Sequence, residues 1–130
     1  MSIFIAYMLK KISLILLIAG YLIAGANHFR APETYYTMIP AYMPFPKFLN
    51  LAAGFFELLF AILLIFPKTR AVAAWGIIGL LVLFIPVHID MVLRAPFYLE
   101  KLHVTPLIAW LRLVVFQPLL ILWAWWYTRR

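Results

Sequence analysis

The sequence predicts an all-α, polytopic membrane protein, a single domain over residues 1–130 with four transmembrane helices in an up-down bundle and an interfacial Pro/aromatic lid between helices 1 and 2. Three observations carry that reading. Of 130 residues, 68% are hydrophobic and only 12% charged, an apolar share far above that of soluble domains. The apolar residues gather into long runs near the ~20 residues that a helix needs to cross a bilayer. Charged or Pro-rich stretches separate those runs.

The first span is placed at residues 12–29, behind Lys10 and Lys11. Ile3 to Leu9, before it, reads as an interfacial segment. Lys10-Lys11, the apolar run and Ala24-Gly25-Ala26 also imitate a signal peptide, whose cleavage would leave a chain starting at Asn27 and an odd number of spans. The apolar flank Ile3–Leu9 favours the uncleaved reading. Next comes the Pro-rich stretch from Arg30 to Lys47. Pro32 suits the first turn of a short helix and Pro40 stops it. Tyr35, Met38 and Tyr42 would then rest at headgroup level, either as a lid over the outer mouth of the bundle or as a plain interfacial connector.

The second and third spans, residues 48–66 and 71–89, are joined by the turn Pro67-Lys68-Thr69-Arg70. A polar patch from Asp90 to Thr105 leads to the last span, residues 106–127. Pro86 and Pro118 lie inside spans, where each removes a backbone hydrogen bond and strands the carbonyl four residues earlier, Val82 or Val114. Such kinks can widen a bundle into a cavity. Close helix packing in lipid needs small residues, and Gly20 with Ala24, Tyr21 with Gly25, and Gly76 with Gly79 have suitable spacing.

Charge reports topology. Lys10, Lys11, Lys68, Arg70, Arg129 and Arg130 fall at one end of the bundle with no acidic residue among them, whereas Arg30, Lys47, Arg94 and Lys101 mix with Glu33, Asp90 and Glu100 at the other. The positive-inside rule puts both termini in the cytoplasm, and a bacterial inner membrane is the expected location. Trp123, Trp125, Trp126 and Tyr127 fit an aromatic belt, with Trp75 at the same depth. The net charge of +7 is scattered in short pairs without a continuous basic surface, so no nucleic-acid partner is expected. With no cysteine, disulfides and thiol relays built from this chain are excluded.

Glu57 and Arg112 need explaining, because each sits inside an apolar run and an unpaired charge in hydrocarbon is costly. On a rise of ~1.5 Å per residue they lie roughly 14 Å and 10 Å from the outer ends of their helices, so they are expected to face each other. His28 and His88 end their spans on the same side. Gln117 lies about 140° around the helix from Arg112 at ~100° per residue, so the two should not both point at the bundle centre. The Glu57/Arg112 pair suits either a structural lock or a ligand site lined by His28, Glu57, His88, Arg112 and Gln117. Two imidazoles at one depth could clamp a haem iron, and Glu57 or Asp90 could complete a non-haem site. Neither histidine stands in a ligand motif, so no metal site is expected.

Gly25-Ala26-Asn27-His28-Phe29, Pro32, Tyr35, Met38-Ile39-Pro40, Gly54 with Glu57, Ala73-Ala74-Trp75-Gly76, Phe84, Pro86, Ile89, Met91, Trp110, Arg112, Leu113 and Gln117 follow one another in an order and spacing that resembles the DoxX-like family of small integral membrane proteins. The resemblance implies a four-helix bundle associated with membrane redox systems, some of them quinone-linked. His88 stands where the family pattern has Asn, and the missing cysteines argue against thiol chemistry. Two functional classes fit. In one, the protein is a membrane subunit of an oxidoreductase, holding a quinone or similar apolar ring ligand in the outer-half cavity and working with a redox partner protein. Arg112 and His28 would donate hydrogen bonds there, and Glu57 would exchange a proton. In the other, it is a non-catalytic assembly or binding protein whose polar cluster locks the fold. Ion transport is the weakest reading, since no helix is lined with polar residues.

Overall fold

The computed structural model describes residues 2–129, so Arg130 lies outside the described residues. Four helical segments are long and apolar enough to cross a membrane, namely Ser2–Arg30, Pro46–Ile65, Arg70–Arg94 and Pro106–Trp125. The protein is therefore an all-α, polytopic, integral membrane protein. Side chains such as Ile23, Val72, Leu83 and Leu107 point outward with 72%, 66%, 69% and 67% of their surface exposed. Lipid can cover such a surface, whereas water would drive it to aggregate.

Helix α1 (Ser2–Arg30) is continuous. No separate interfacial segment precedes the span, because nothing between Ile3 and Leu9 breaks the helix and Lys10 and Lys11 sit within it. The short α2 (Pro32–Met38) begins on Pro32 and stops before Pro40, as expected from the prolines. Helix α3 (Pro46–Ile65) ends where side chains take over its last carbonyls. Thr69 Oγ1 donates to Leu63 O at 2.6 Å, Arg70 Nε to Leu64 O at 2.8 Å and Arg70 Nη2 to Ile65 O at 3.0 Å. Backbone acceptors orphaned at a helix end thus gain partners in an apolar setting.

The third span is broken at Phe84 into α4 (Arg70–Leu83) and α5 (Ile85–Arg94), with Pro86 in the first turn of α5. It runs past residue 89 to Arg94, where Arg94 Nε pairs with Asp90 Oδ2 at 2.7 Å and its Nη2 donates to Met38 O at 3.1 Å. The polar connection holds an unpredicted antiparallel hairpin, β1 (Phe97–Leu99) with β2 (Leu102–Val104), in which Phe97 faces Val104. The last span starts with α6 (Pro106–Leu111), capped by Thr105 Oγ1 accepting from Ile108 N at 3.2 Å. A π-helical turn, Arg112–Phe116, then leads into α7 (Gln117–Trp125).

Helix α1 packs on α3, α3 on α4, and α4 on α7. Small residues set the closest approaches. A Cβ on Gly25 would meet Leu58 Cγ at 2.8 Å and Leu58 N at 3.0 Å, one on Gly54 would meet His28 Cβ at 2.7 Å, and one on Gly76 would press into the Phe60 ring. Gly20 and Gly79, expected at contacts, have nothing within 4 Å of a Cβ position. Their spacing is right, but the faces that carry them turn to lipid. Trp123 Nε1 donates to Ser13 Oγ at 2.8 Å and Tyr127 Oη to Lys10 O at 3.0 Å, which brings both chain ends to one end of the bundle. Helix α2 and the hairpin cover the other end, where Thr34 Oγ1 donates to Glu100 Oε1 at 2.6 Å.

Candidate functional site: a buried polar cluster in the half of the bundle away from the termini

The buried polar side chains are His28, Asn50, Glu57, His88 and Gln117. His28 ends α1, and the Gly25/Gly54 crossing lets α1 and α3 approach closely enough for its ring to lie between two α3 side chains. Asn50 Nδ2 donates to His28 O at 3.0 Å, so its amide oxygen is the atom that faces His28 Nδ1 at 2.7 Å. An amide oxygen can only accept, hence Nδ1 carries the proton. The one nitrogen left to titrate is Nε2, at 3.1 Å from Glu57 Oε2. That contact has ion-pair distance without hydrogen-bond alignment, since the buried Oε2 has no hydrogen-bond partner. With imidazolium facing carboxylate the pair would be net neutral. Net neutrality is the low-cost state inside a membrane.

The lid reaches this pair. Tyr35 stacks on the His28 ring with centroids 3.8 Å apart, and its hydroxyl accepts from Asn27 Nδ2 at 2.8 Å. Burial raises the Tyr35 phenol pKa above its ordinary value. Met38 packs against the small core of Met91, Val104 and Ala109. Tyr42 is 72% exposed and takes no part in the cluster. The turn after α2 carries it away from the bundle.

Glu57 and Arg112 do not pair. Among the described residues the ion pairs are His28 with Glu57 and Asp90 with Arg94. Helix α3 packs chiefly on α1 and α4, while the start of the last span meets α5, so the histidine is the nearer cation to Glu57. Arg112 Nη1 instead donates to Gln117 Oε1, whose Nε2 donates to Leu81 O. The expected 140° separation fails because residues 112–116 form a π turn, in which Gln117 N–H bonds to Arg112 O five residues back. The break at Phe84 frees the carbonyl that Gln117 takes. It is that of Leu81, one residue before the Val82 carbonyl expected from Pro86.

Tyr21 is half-buried on α1, two turns below His28. Its phenol lies in the electrostatic field of both Glu57 and Arg112. His88 is buried on α5, within the field of Arg112, and its Nδ1 has no hydrogen-bond partner among the described residues. Sequence reasoning missed Asn50 and Tyr21 as members of the cluster. Asn50 stands seven residues before Glu57, which puts both on one helix face and was the available signal.

Among the described residues no three His, Asp or Glu side chains converge as a metal site would require. Neither Glu57 nor Arg112 lines either of two hollows at the surface of the bundle. A groove of about 360 Å³ is lined by Ile85, Leu113, Gln117, Pro118, Ile121 and Leu122, at the level where both proline-bearing spans depart from regular helix. A second hollow lies at the end of the bundle that holds the termini.

Residues 17–128 match the family described as a domain of unknown function (DUF8561). No curated protein and no solved structure matches the chain. The match takes in the second half of α1, the other three membrane helices and every residue of the polar cluster, and the chain belongs to the DUF8561 family.

Proposed function

We propose that the protein is a small, DoxX-like membrane subunit of a redox system that holds a quinone or similar apolar ring ligand, with the His28–Glu57 pair exchanging a proton. The buried contact of His28 Nε2 with Glu57 Oε2, 3.1 Å apart, carries this reading. A buried carboxylate and imidazole that hold one proton between them can release or accept it without leaving a net charge in the membrane. The groove beside Gln117 opens between apolar side chains, as lateral entry of a ring ligand from the bilayer requires. Arg112 has guanidinium donors beyond the one given to Gln117, and these suit a carbonyl oxygen of the ligand. No side chain of this sequence carries electrons by itself, so they come from a redox partner protein or a further cofactor. The basic end with the termini faces the cytoplasm of a bacterial inner membrane.

A second reading rests on a specific observation: Gln117 bonds Arg112 and Leu81 O, and Asn50 bonds the ring and the carbonyl of His28. Contacts of this kind also suit a non-catalytic assembly protein, in which they lock the helices and the lid meets a partner. Mass spectrometry of the lipid extract of the purified protein separates the two. A quinone that co-purifies with the wild type and is lost from Arg112→Leu supports the redox subunit. An empty, stable bundle with a stoichiometric protein partner rejects it in favour of assembly.

A further inference from the structure

The hollow at the terminal end of the bundle has a volume of about 330 Å³ and is lined by Pro67, Lys68, Arg70, Ala71, Tyr127 and Arg129. Three of those six are cations, and none is acidic. The chain has 4 acidic residues. Glu33 is on α2, Asp90 on α5 and Glu100 in the hairpin turn, all at the opposite end, while Glu57 faces His28. Gathering three cations with no acidic side chain nearby among the described residues costs repulsion unless an anion joins them.

The frame of the hollow is fixed rather than loosely solvated. Arg70 is held by its bonds to Leu64 O and Ile65 O, which leave Nη1 uncommitted. The Arg129 guanidinium rests on the Trp125 ring at 4.0 Å, and buried Tyr127 is tied to Lys10 O. Two features favour a lipid over a soluble anion. Trp125 and Trp126 place the hollow at headgroup depth. Ile65, Phe66 and Val72 are exposed beside it, offering an apolar wall along which acyl chains can run.

We propose that Lys68, Arg70 and Arg129 hold the phosphodiester headgroup of an anionic lipid in this hollow, with its acyl chains against α3 and α4. Basic pockets between membrane helices bind such headgroups by the same charge complementarity. The assignment is independent of any quinone and of which face of the membrane the termini occupy.

Native mass spectrometry of the full chain in neutral detergent, with phosphatidylglycerol and phosphatidylcholine added in equal amounts, tests it. Lys68→Gln/Arg129→Gln removes two exposed cations and spares Arg70, which caps α3. Lys47→Gln/Lys101→Gln removes equal charge from the other end. The wild type and the second double variant should retain phosphatidylglycerol preferentially, and the first should lose on the order of tenfold in that preference. Equal retention by all three proteins overturns the site. Displacement of the lipid by millimolar inorganic phosphate overturns the lipid as ligand.

Discussion

Arg112 donates to the side-chain oxygen of Gln117 across a single π turn, and Gln117 passes its own amide protons to Leu81 O on the neighbouring span. One glutamine therefore serves as partner to a membrane-buried cation and as cap to a carbonyl freed by the break before Pro86. Replacing it with leucine leaves both unpaired. Gln117→Leu should lose roughly 1–3 kcal/mol, the usual cost of stranding buried polar groups. Thermal unfolding in detergent, followed by circular dichroism, reads this as a lowered midpoint; an unchanged midpoint would show that water or lipid replaces the glutamine at no cost.

The His28 tautomer is set by Asn50. In wild-type protein labelled with ¹⁵N-histidine, the His28 Nδ1 resonance should be that of a protonated nitrogen whatever the state of Nε2. Asn50→Ala removes the acceptor and should release this preference. A wild-type spectrum with Nδ1 unprotonated would reverse the roles of the two ring nitrogens and remove the shared proton from Nε2.

Much of the architecture was legible because bilayer thickness and proline chemistry act locally. Pro32 and Pro40 bound α2, and the even number of spans puts both ends together, as Tyr127 on Lys10 shows. The partner of Glu57 was not legible. Depth along a helix follows from counting residues, but azimuth depends on how neighbours cross, and the Gly25/Gly54 contact decides that for α1 and α3. Gln117 failed for a second reason. A π turn adds one residue to a helical turn, and no residue between Arg112 and Phe116 announces it. Missing Asn50 was avoidable, since an amide two turns from a buried carboxylate in an apolar span asks for the same explanation.

The glycines divide sharply by context. Gly54→Ala would drive a Cβ to 2.7 Å from His28 Cβ and 3.2 Å from Gly25 O, so α1 and α3 must separate. Overpacking of this kind costs roughly 1–3 kcal/mol. It should also loosen the His28–Glu57 contact. Gly20→Ala and Gly79→Ala meet open space and should be neutral or slightly stabilising, through better helix propensity. Comparing the three unfolding midpoints checks the packing; equal effects at Gly20 and Gly54 would contradict the crossing described.

A pair of double-mutant cycles asks which cation belongs to Glu57. Breaking a buried pair strands the remaining charge at a cost of about 3–5 kcal/mol, whereas removing both members leaves nothing to strand. Glu57→Leu and His28→Leu should therefore each destabilise strongly, and the double variant should lose much less than their sum. Glu57 and Arg112 share no contact, so Glu57→Leu with Arg112→Leu should be additive to within about 0.5 kcal/mol, apart from a small term carried through Tyr21. That term has its own control, because repeating the second cycle in a Tyr21→Phe background should abolish it. Strong coupling of Glu57 to Arg112 and none to His28 would mean that the histidine is held by Asn50 alone and that the two membrane charges are each other's counterions.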